Sequence, residues 1–305
     1  MPSDIRYTPL QKPSRALKVP AFLRPVLRLL ILLFRLYRRH SVLLTVLTFL
    51  PPLLLLPLVL SRARTLALAP APFQTTRRPL LVVAHPDDEC LFFSPAILGA
   101  IRTPLHDVDP AILVLSNGNN YGIGDLRETE LKGSCEELGV RAERCIVLNV
   151  AELQDNPKEW WAAEKVAEVV KAQIAKINAD LIITFDSGGV SGHVNHKSVH
   201  RGLEHLVRSD TTGAEVPPVY ASSTVPLLRK YQGLLDLTFT ALPFVPRLLF
   251  NAALNPDRAL FVADWDMYLT ARRAFRRHAS QLSWDRHVYM VISRYMVMND
   301  LERVR

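Results

Sequence analysis

The stretch PLLVVAHPDDECLFFSP, residues 79–95, sets an apolar run directly against a histidine and three acids. Its first six residues carry little alternation of polar and apolar, the pattern of a strand buried on both faces. His85, Pro86, Asp87, Asp88 and Glu89 follow at once, and the chain then turns apolar again. One reading is a surface turn, with the acids at a helix N-terminus where the dipole favours them. The other is a metal site. What the fold brings to the same place decides between them.

Three further short apolar runs share the composition of the first: AILVLS (111–116), RCIVLN (144–149) and LIITFD (181–186). Helical patterns alternate with them, over 125–138 and over 157–177, where Ala163, Val166, Ala167, Val170, Ile174 and Ile177 share a stripe. Alternation of this kind predicts an α/β domain, Rossmann-like, with a mostly parallel sheet flanked by helices. Further helices are expected over 264–281 and 284–300. In such a sheet ligands bind beyond the carboxyl ends of the strands. HPDDE occupies that place after the first strand. After the fourth strand come Asp186, then SGGVSG, then His193, Val194, Asn195 and His196. His193 and His196, three apart at a helix start, can share a face. The two loops can therefore bring His85, Asp88 and His196 together, and three N/O ligands with an open position describe a catalytic zinc site. His200, four residues after His196, is a rival ligand. His205 and His278 read as surface or supporting residues, and Glu89 as a partner of a ligand or a helix cap.

The N-terminal eighty residues differ in kind. They hold 13 Lys or Arg and one acid, Asp4, whereas the remainder holds 24 basic and 28 acidic residues. The net charge of +8 therefore belongs to an extension, and the mildly acidic domain lacks the basic stripe of a nucleic-acid binder. Residues 1–40 read as a basic amphipathic region, suited to a headgroup plane over 21–40. SVLLTVLTFLPPLLLLPLVL (41–60) has the length and composition of a membrane anchor, with Pro51 and Pro52 expected to kink or break it. Residues 61–78 read as a linker, and 79–305 as the catalytic domain. Within that domain 231–254 is apolar and proline-interrupted, and is expected to form a lip against membrane lipid. Cys90, Cys135 and Cys145 are too few and too scattered for a disulfide framework or a metal knuckle. The sequence sets no oligomeric state.

AHPDDE and FDSGGVSGHVNH, with SNGNNYGIG, Arg127 and Glu130-Leu131 in an RxxEL pattern, and HASQLSWDRHVYMVISRYMVMNDL (278–301), together resemble the PIG-L/LmbE family of zinc-dependent de-N-acetylases. The resemblance covers roughly 79–301. It implies His85, Asp88 and His196 as ligands of Zn2+ or another divalent metal. It further implies Asp87 as general base and His193 as electrophilic stabiliser. Protonated, His193 would steady the oxyanion of a tetrahedral intermediate. Arg127 is expected to contact phosphate or sugar, as guanidinium geometry allows. The eukaryotic branch, which this chain resembles most, acts on GlcNAc linked to phosphatidylinositol in GPI-anchor synthesis. That implies the endoplasmic reticulum membrane, with the domain on its cytoplasmic face. Two rival readings are a de-N-acetylase of another GlcNAc conjugate and an inactive membrane scaffold that keeps the fold.

Overall fold

The computed structural model describes residues 23–64, 66–211, 216–250 and 257–305, in two units, Met1–Leu50 and Pro51–Arg305. Helix α1 (Arg24–Arg64) begins in the first and ends in the second. There follow β1 (Pro79–Val83), α2 (Asp88–Phe92), α3 (Ser94–Ile101), β2 (Ala111–Val114), α4 (Gly124–Glu137), β3 (Cys145–Val147) and α5 (Ala163–Ile177). Next come β4 (Leu181–Phe185), α6 (Val194–Ser209), β5 (Val219–Ser222), α7 (Leu227–Lys230), β6 (Arg258–Val262), α8 (Trp265–Arg277), α9 (Trp284–Ile292) and β7 (Met298–Arg303).

One seven-stranded sheet runs in the order β3-β2-β1-β4-β5-β7-β6. β1 to β5 are parallel, and β7 is antiparallel to both β5 and β6. The four strands expected from the sequence are all parallel members, and β1, β2 and β4 are buried along their whole length. The register sets Val82 beside Leu113 and Leu81 beside Ile183. The chain moves outward from β1 through β2 to β3, then returns to the other flank of β1 with β4. The loops after β1 and β4 therefore part at the carboxyl edge, and the crevice between them is the topological switch point of the sheet. Helices α5 and α6 pack closely, because Gly202 on α6 has no Cβ; one added there would lie 2.3 Å from Val166.

Several expectations give way. The segments read as 21–40 and 41–60 share a single helix from Arg24 to Arg64, kinked at His40 rather than at Pro51, Pro52 or Pro57. Residues 1–22 lie outside the described residues. The stretch read as a linker, 61–78, belongs to the domain: Leu66, Leu68 and Phe73 are buried. Burial of each such side chain is worth about 1.5–3 kcal/mol, which is why this stretch does not hang free. Val59 and Leu68 share a core cluster with Leu237, Phe244 and Leu248. The segment 231–254, described as far as Phe250, is thus half core: Phe244 is buried while Phe239 and Leu242 are exposed. The expected helix 157–177 starts at Ala163, and 264–281 ends at Arg277. The helix expected over 284–300 stops at Ile292, and its last residues enter β7. Cys135 and Cys145 form a disulfide joining α4 to β3, a pairing that their spacing did not suggest.

Candidate active site

His85 to Glu89 leave β1 at the switch point, and the turn is conformationally costly. Asp87 has φ of 105°, in the left-handed region that a non-glycine residue rarely adopts. Two contacts hold it there. The Asp87 amide donates to Glu89 Oε2 at 3.0 Å, and Arg127 donates to the Pro86 carbonyl at 2.5 Å. Asp88 turns back on its own strand, where its Oδ2 accepts the amides of Ala84 (3.2 Å) and His85 (2.8 Å).

His196 arrives from the first turn of α6. Its Nδ1 donates to the Gly189 carbonyl at 3.0 Å, and Phe185 stacks on its ring at 4.2 Å. The backbone comes this near because Gly189 has φ of 65°, and a Cβ there would lie 2.9 Å from the His196 Cβ. Gly189 of SGGVSG thus lets the chain pass close to His196. Its Nε2 lies 3.2 Å from Asp88 Oδ1. His85 is fixed in the opposite sense. Its Nε2 lies 3.1 Å from Asp155 Oδ1 and 3.2 Å from Asn195 Oδ1, both acceptors, so Nε2 carries the proton. Its Nδ1 is left to face Asp88 Oδ2 at 3.8 Å.

The structure therefore sets His85 Nδ1 and His196 Nε2 against the two oxygens of Asp88, at 3.8 and 3.2 Å. His193 belongs to the same knot, since donor atoms of His85, His193 and His196 lie within 4.8 Å of one another. His200 is excluded from it and bonds the Phe185 carbonyl at 3.0 Å instead. The electrostatics suit a cation. Burial pushes the Asp88 carboxyl up, but His196 and His85 beside it outweigh this and hold it well below the usual carboxylate range. Burial pulls His85 down, yet Asp155 and Asp88 leave it net raised. Positive charge is thus favoured between Asp88 and Asp155, and two imidazoles with a carboxylate are the donors a divalent metal takes.

Asp87 lies beside this point without joining it. Burial raises its pKa, with Arg127 at 3.6 Å opposing. A raised carboxyl is a better proton acceptor for water than an ordinary one. Arg127 itself is buried. Its two terminal nitrogens are spent on the carbonyls of Pro86 and Gly118, so its first task is to hold the turn and face Asp87. His193 departs from expectation in its charge. Burial, then His85 and His196, lower its pKa to about 4, so it is neutral at pH 7. Its Nδ1 accepts the Asn195 amide at 3.2 Å, which puts the ring proton on Nε2.

Asp155 and Asn195 went unread as site residues. Asp155 is one acid in a polar loop, ELQDNP, whose only signal is its position after a parallel strand. His278, read as surface or supporting, is fully buried with Nε2 2.8 Å from Glu89 Oε1, while Ser134 donates to the same oxygen. Glu89 is therefore an internal brace of the Asp87 turn. His205 is exposed, as expected. The cleft around the site has a volume of about 600 Å³, and Asn120, Tyr121, Gln281 and Arg286 contribute to its wall.

A parallel α/β sheet with a metal-suited cluster and an adjacent carboxylate at its switch point is the frame of a hydrolase. The family model described as GlcNAc-PI de-N-acetylase matches residues 80–207. A curated N-acetylglucosaminyl-phosphatidylinositol de-N-acetylase of Bos taurus is 38% identical over 227 residues, spanning 73% of this chain and 82% of its own. The Saccharomyces cerevisiae protein of the same name is 31% identical over 246 residues, spanning 73% and 80%. Among solved structures, the N,N'-diacetylchitobiose deacetylase of Pyrococcus horikoshii is similar with a TM-score of 0.47 and 14% identity, over 70% of this chain and 74% of that one. The chain belongs to the PIG-L family of de-N-acetylases.

Proposed function

We propose that this protein hydrolyses the acetamide of GlcNAc-phosphatidylinositol, giving acetate and glucosaminyl-phosphatidylinositol, the second step of GPI-anchor synthesis. We place it at the endoplasmic reticulum membrane, with the catalytic domain on the cytoplasmic face. The observation that carries the chemistry is the convergence of His85, Asp88 and His196 with Asp87 beside them. The substrate assignment draws on the similarity to relatives that bear that name.

His85, Asp88 and His196 would hold the metal, with zinc the ion that two imidazoles and a carboxylate suit best; other divalent ions are the alternative. When bound, such an ion polarises an acyl oxygen and lowers the pKa of water towards ~7. Asp87 takes the proton of the attacking water on its carboxylate. As the acyl C–N bond breaks, it returns that proton to the departing amine, and the water oxygen ends in acetate. General acid–base help of this kind contributes about 10²–10⁴-fold. His193 serves as a neutral donor, offering Nε2–H to the oxyanion, where preorganised donors act most strongly. Asp155 and Asn195 fix the tautomer of His85, and Gly189 fixes that of His196, so neither ring must reorient. An inactive scaffold would need neither Asp87 on its costly backbone nor His193 aimed into the cleft.

The test is acetate release by the full chain in vesicles containing GlcNAc-phosphatidylinositol. Turnover should stop with chelator and return with Zn2+. Turnover that persists in chelator overturns the metal. Release from a soluble GlcNAc conjugate alone overturns the lipid substrate.

A further inference from the structure

Beside the catalytic cleft lies a second groove of about 470 Å³, formed between α7 and α9. The two hollows share Phe92, Ser191 and Arg286 as walls. Lys230 is at the floor of the groove and almost wholly buried. Its Nζ donates to the Val190 carbonyl at 3.3 Å and lies 5.8–5.9 Å from the ring centres of Phe92, Tyr231 and Tyr289. No carboxylate pairs with it among the described residues. Burial, then the neighbouring Arg286, draw its pKa down. The one acid in the wall, Asp285, has its carboxylate engaged by the Ser283 hydroxyl. A buried lysine without a counter-ion, facing an arginine across a hollow, lacks an anion.

The rim is of the opposite character. Leu227, Leu228, Trp284, Val288 and Val291 all stand exposed, with Trp284 81% accessible. Gly233, three residues past α7, comes near the end of α9: a Cβ there would lie 3.5 Å from the Ile292 carbonyl oxygen. The apolar face continues past Arg229, whose guanidinium lies 5.8 Å over exposed Phe239. Phe239 and Leu242 in turn flank the core cluster that anchors Val59 of α1. An apolar rim around cationic walls matches the boundary of a phospholipid surface, where acyl chains meet phosphodiesters.

We infer that this groove is a phosphodiester subsite, in which Lys230 and Arg286 hold the phosphate of the lipid-linked substrate while the rim of α7 and α9 rests in the bilayer surface. The inference rests on the lipid substrate proposed above and adds how it is presented. Lys230 and His196 flank the same ring, Phe92, at 5.9 and 5.8 Å from its centre, so phosphate and acetamide would sit on neighbouring sides of one residue. The sugar would then reach the site without the lipid leaving the membrane.

Two measurements on the full chain test it. The first compares kcat/KM on two soluble probes, GlcNAc-inositol 1-phosphate and GlcNAc-inositol. Lys230→Met should lower the phosphate-to-phosphate-free ratio at least tenfold, with Lys230→Arg recovering most of it. Equal losses on both probes would overturn the subsite and leave Lys230 as a prop for Val190. The second uses vesicles of brominated phosphatidylcholine and wild-type protein against Trp284→Phe. Quenching of tryptophan emission should drop by more than half in the variant; equal quenching would overturn the membrane rim. If wild-type protein hydrolyses neither probe nor the lipid, the proposed function fails, and the quenching result still decides the rim.

Discussion

His193 shows what single residues contribute. The spacing HVNH placed it beside His196, and a protonated ring was expected to steady the oxyanion. The fold removes that proton, because His193 is half buried between two other imidazoles. A lowered histidine pKa means that charge appears only below about 4, and a bound cation would lower it further. Imidazole nitrogen shifts of His193 should therefore report a neutral ring protonated on Nε2 throughout pH 5.5–8. A titration midpoint inside that range would return the charged donor. His85, Asp88 and His196 were legible because each cluster follows a buried strand directly. Asp155 was not, since only three-dimensional neighbourhood distinguishes it from Glu152 in the same loop as the partner of His85.

Among the elements, the parallel strands were legible and the C-terminal sheet was not. β1, β2 and β4 are buried on both faces, and unbroken apolar runs announce that. β7 is interior yet polar in sequence, MNDLER. Its Asn299 accepts the Ala96 amide at 3.0 Å and donates to Phe92 at 2.8 Å, so the polar atoms are satisfied internally. Asp300 pairs with Arg294 at 2.8 Å, and the same arginine meets Asp236 at 2.7 Å. Asp236 also receives Arg229 at 2.6 Å. This chain of charges fastens the apolar segment after α7 to the sheet, which hydropathy alone cannot reveal. Arg294→Met should cost about 3–5 kcal/mol in urea unfolding, because buried carboxylates lose their partner. A loss below 1 kcal/mol would mean that apolar packing alone fastens the segment.

At the scale of the whole molecule, α1 is the one described helix long and apolar enough to cross a membrane. Its residues from Pro51 onward belong to the same compact unit as the catalytic domain. A truncation at residue 70 would strip Val59, Leu66 and Leu68 from the core, so membrane binding is better studied on the full chain. The Cys135–Cys145 bond bears on which face the domain occupies. Disulfides persist in oxidising compartments and are reduced in the cytosol. On the cytoplasmic face the pair should be thiols. Alkylation of cell lysate with a maleimide polymer under denaturing conditions should then add to all three cysteines. Addition to Cys90 alone would put the domain in the lumen.

The central claim is a division of labour in one turn: Asp88 holds metal and Asp87 moves the proton. Elemental analysis of purified Asp87→Asn and His196→Ala, each alongside acetate release, tests it most directly. The account predicts one divalent ion per chain in Asp87→Asn with turnover down by about 10²–10⁴-fold, as expected for losing a general base. It predicts no retained metal in His196→Ala. Loss of metal from Asp87→Asn, or full occupancy in His196→Ala, would contradict it.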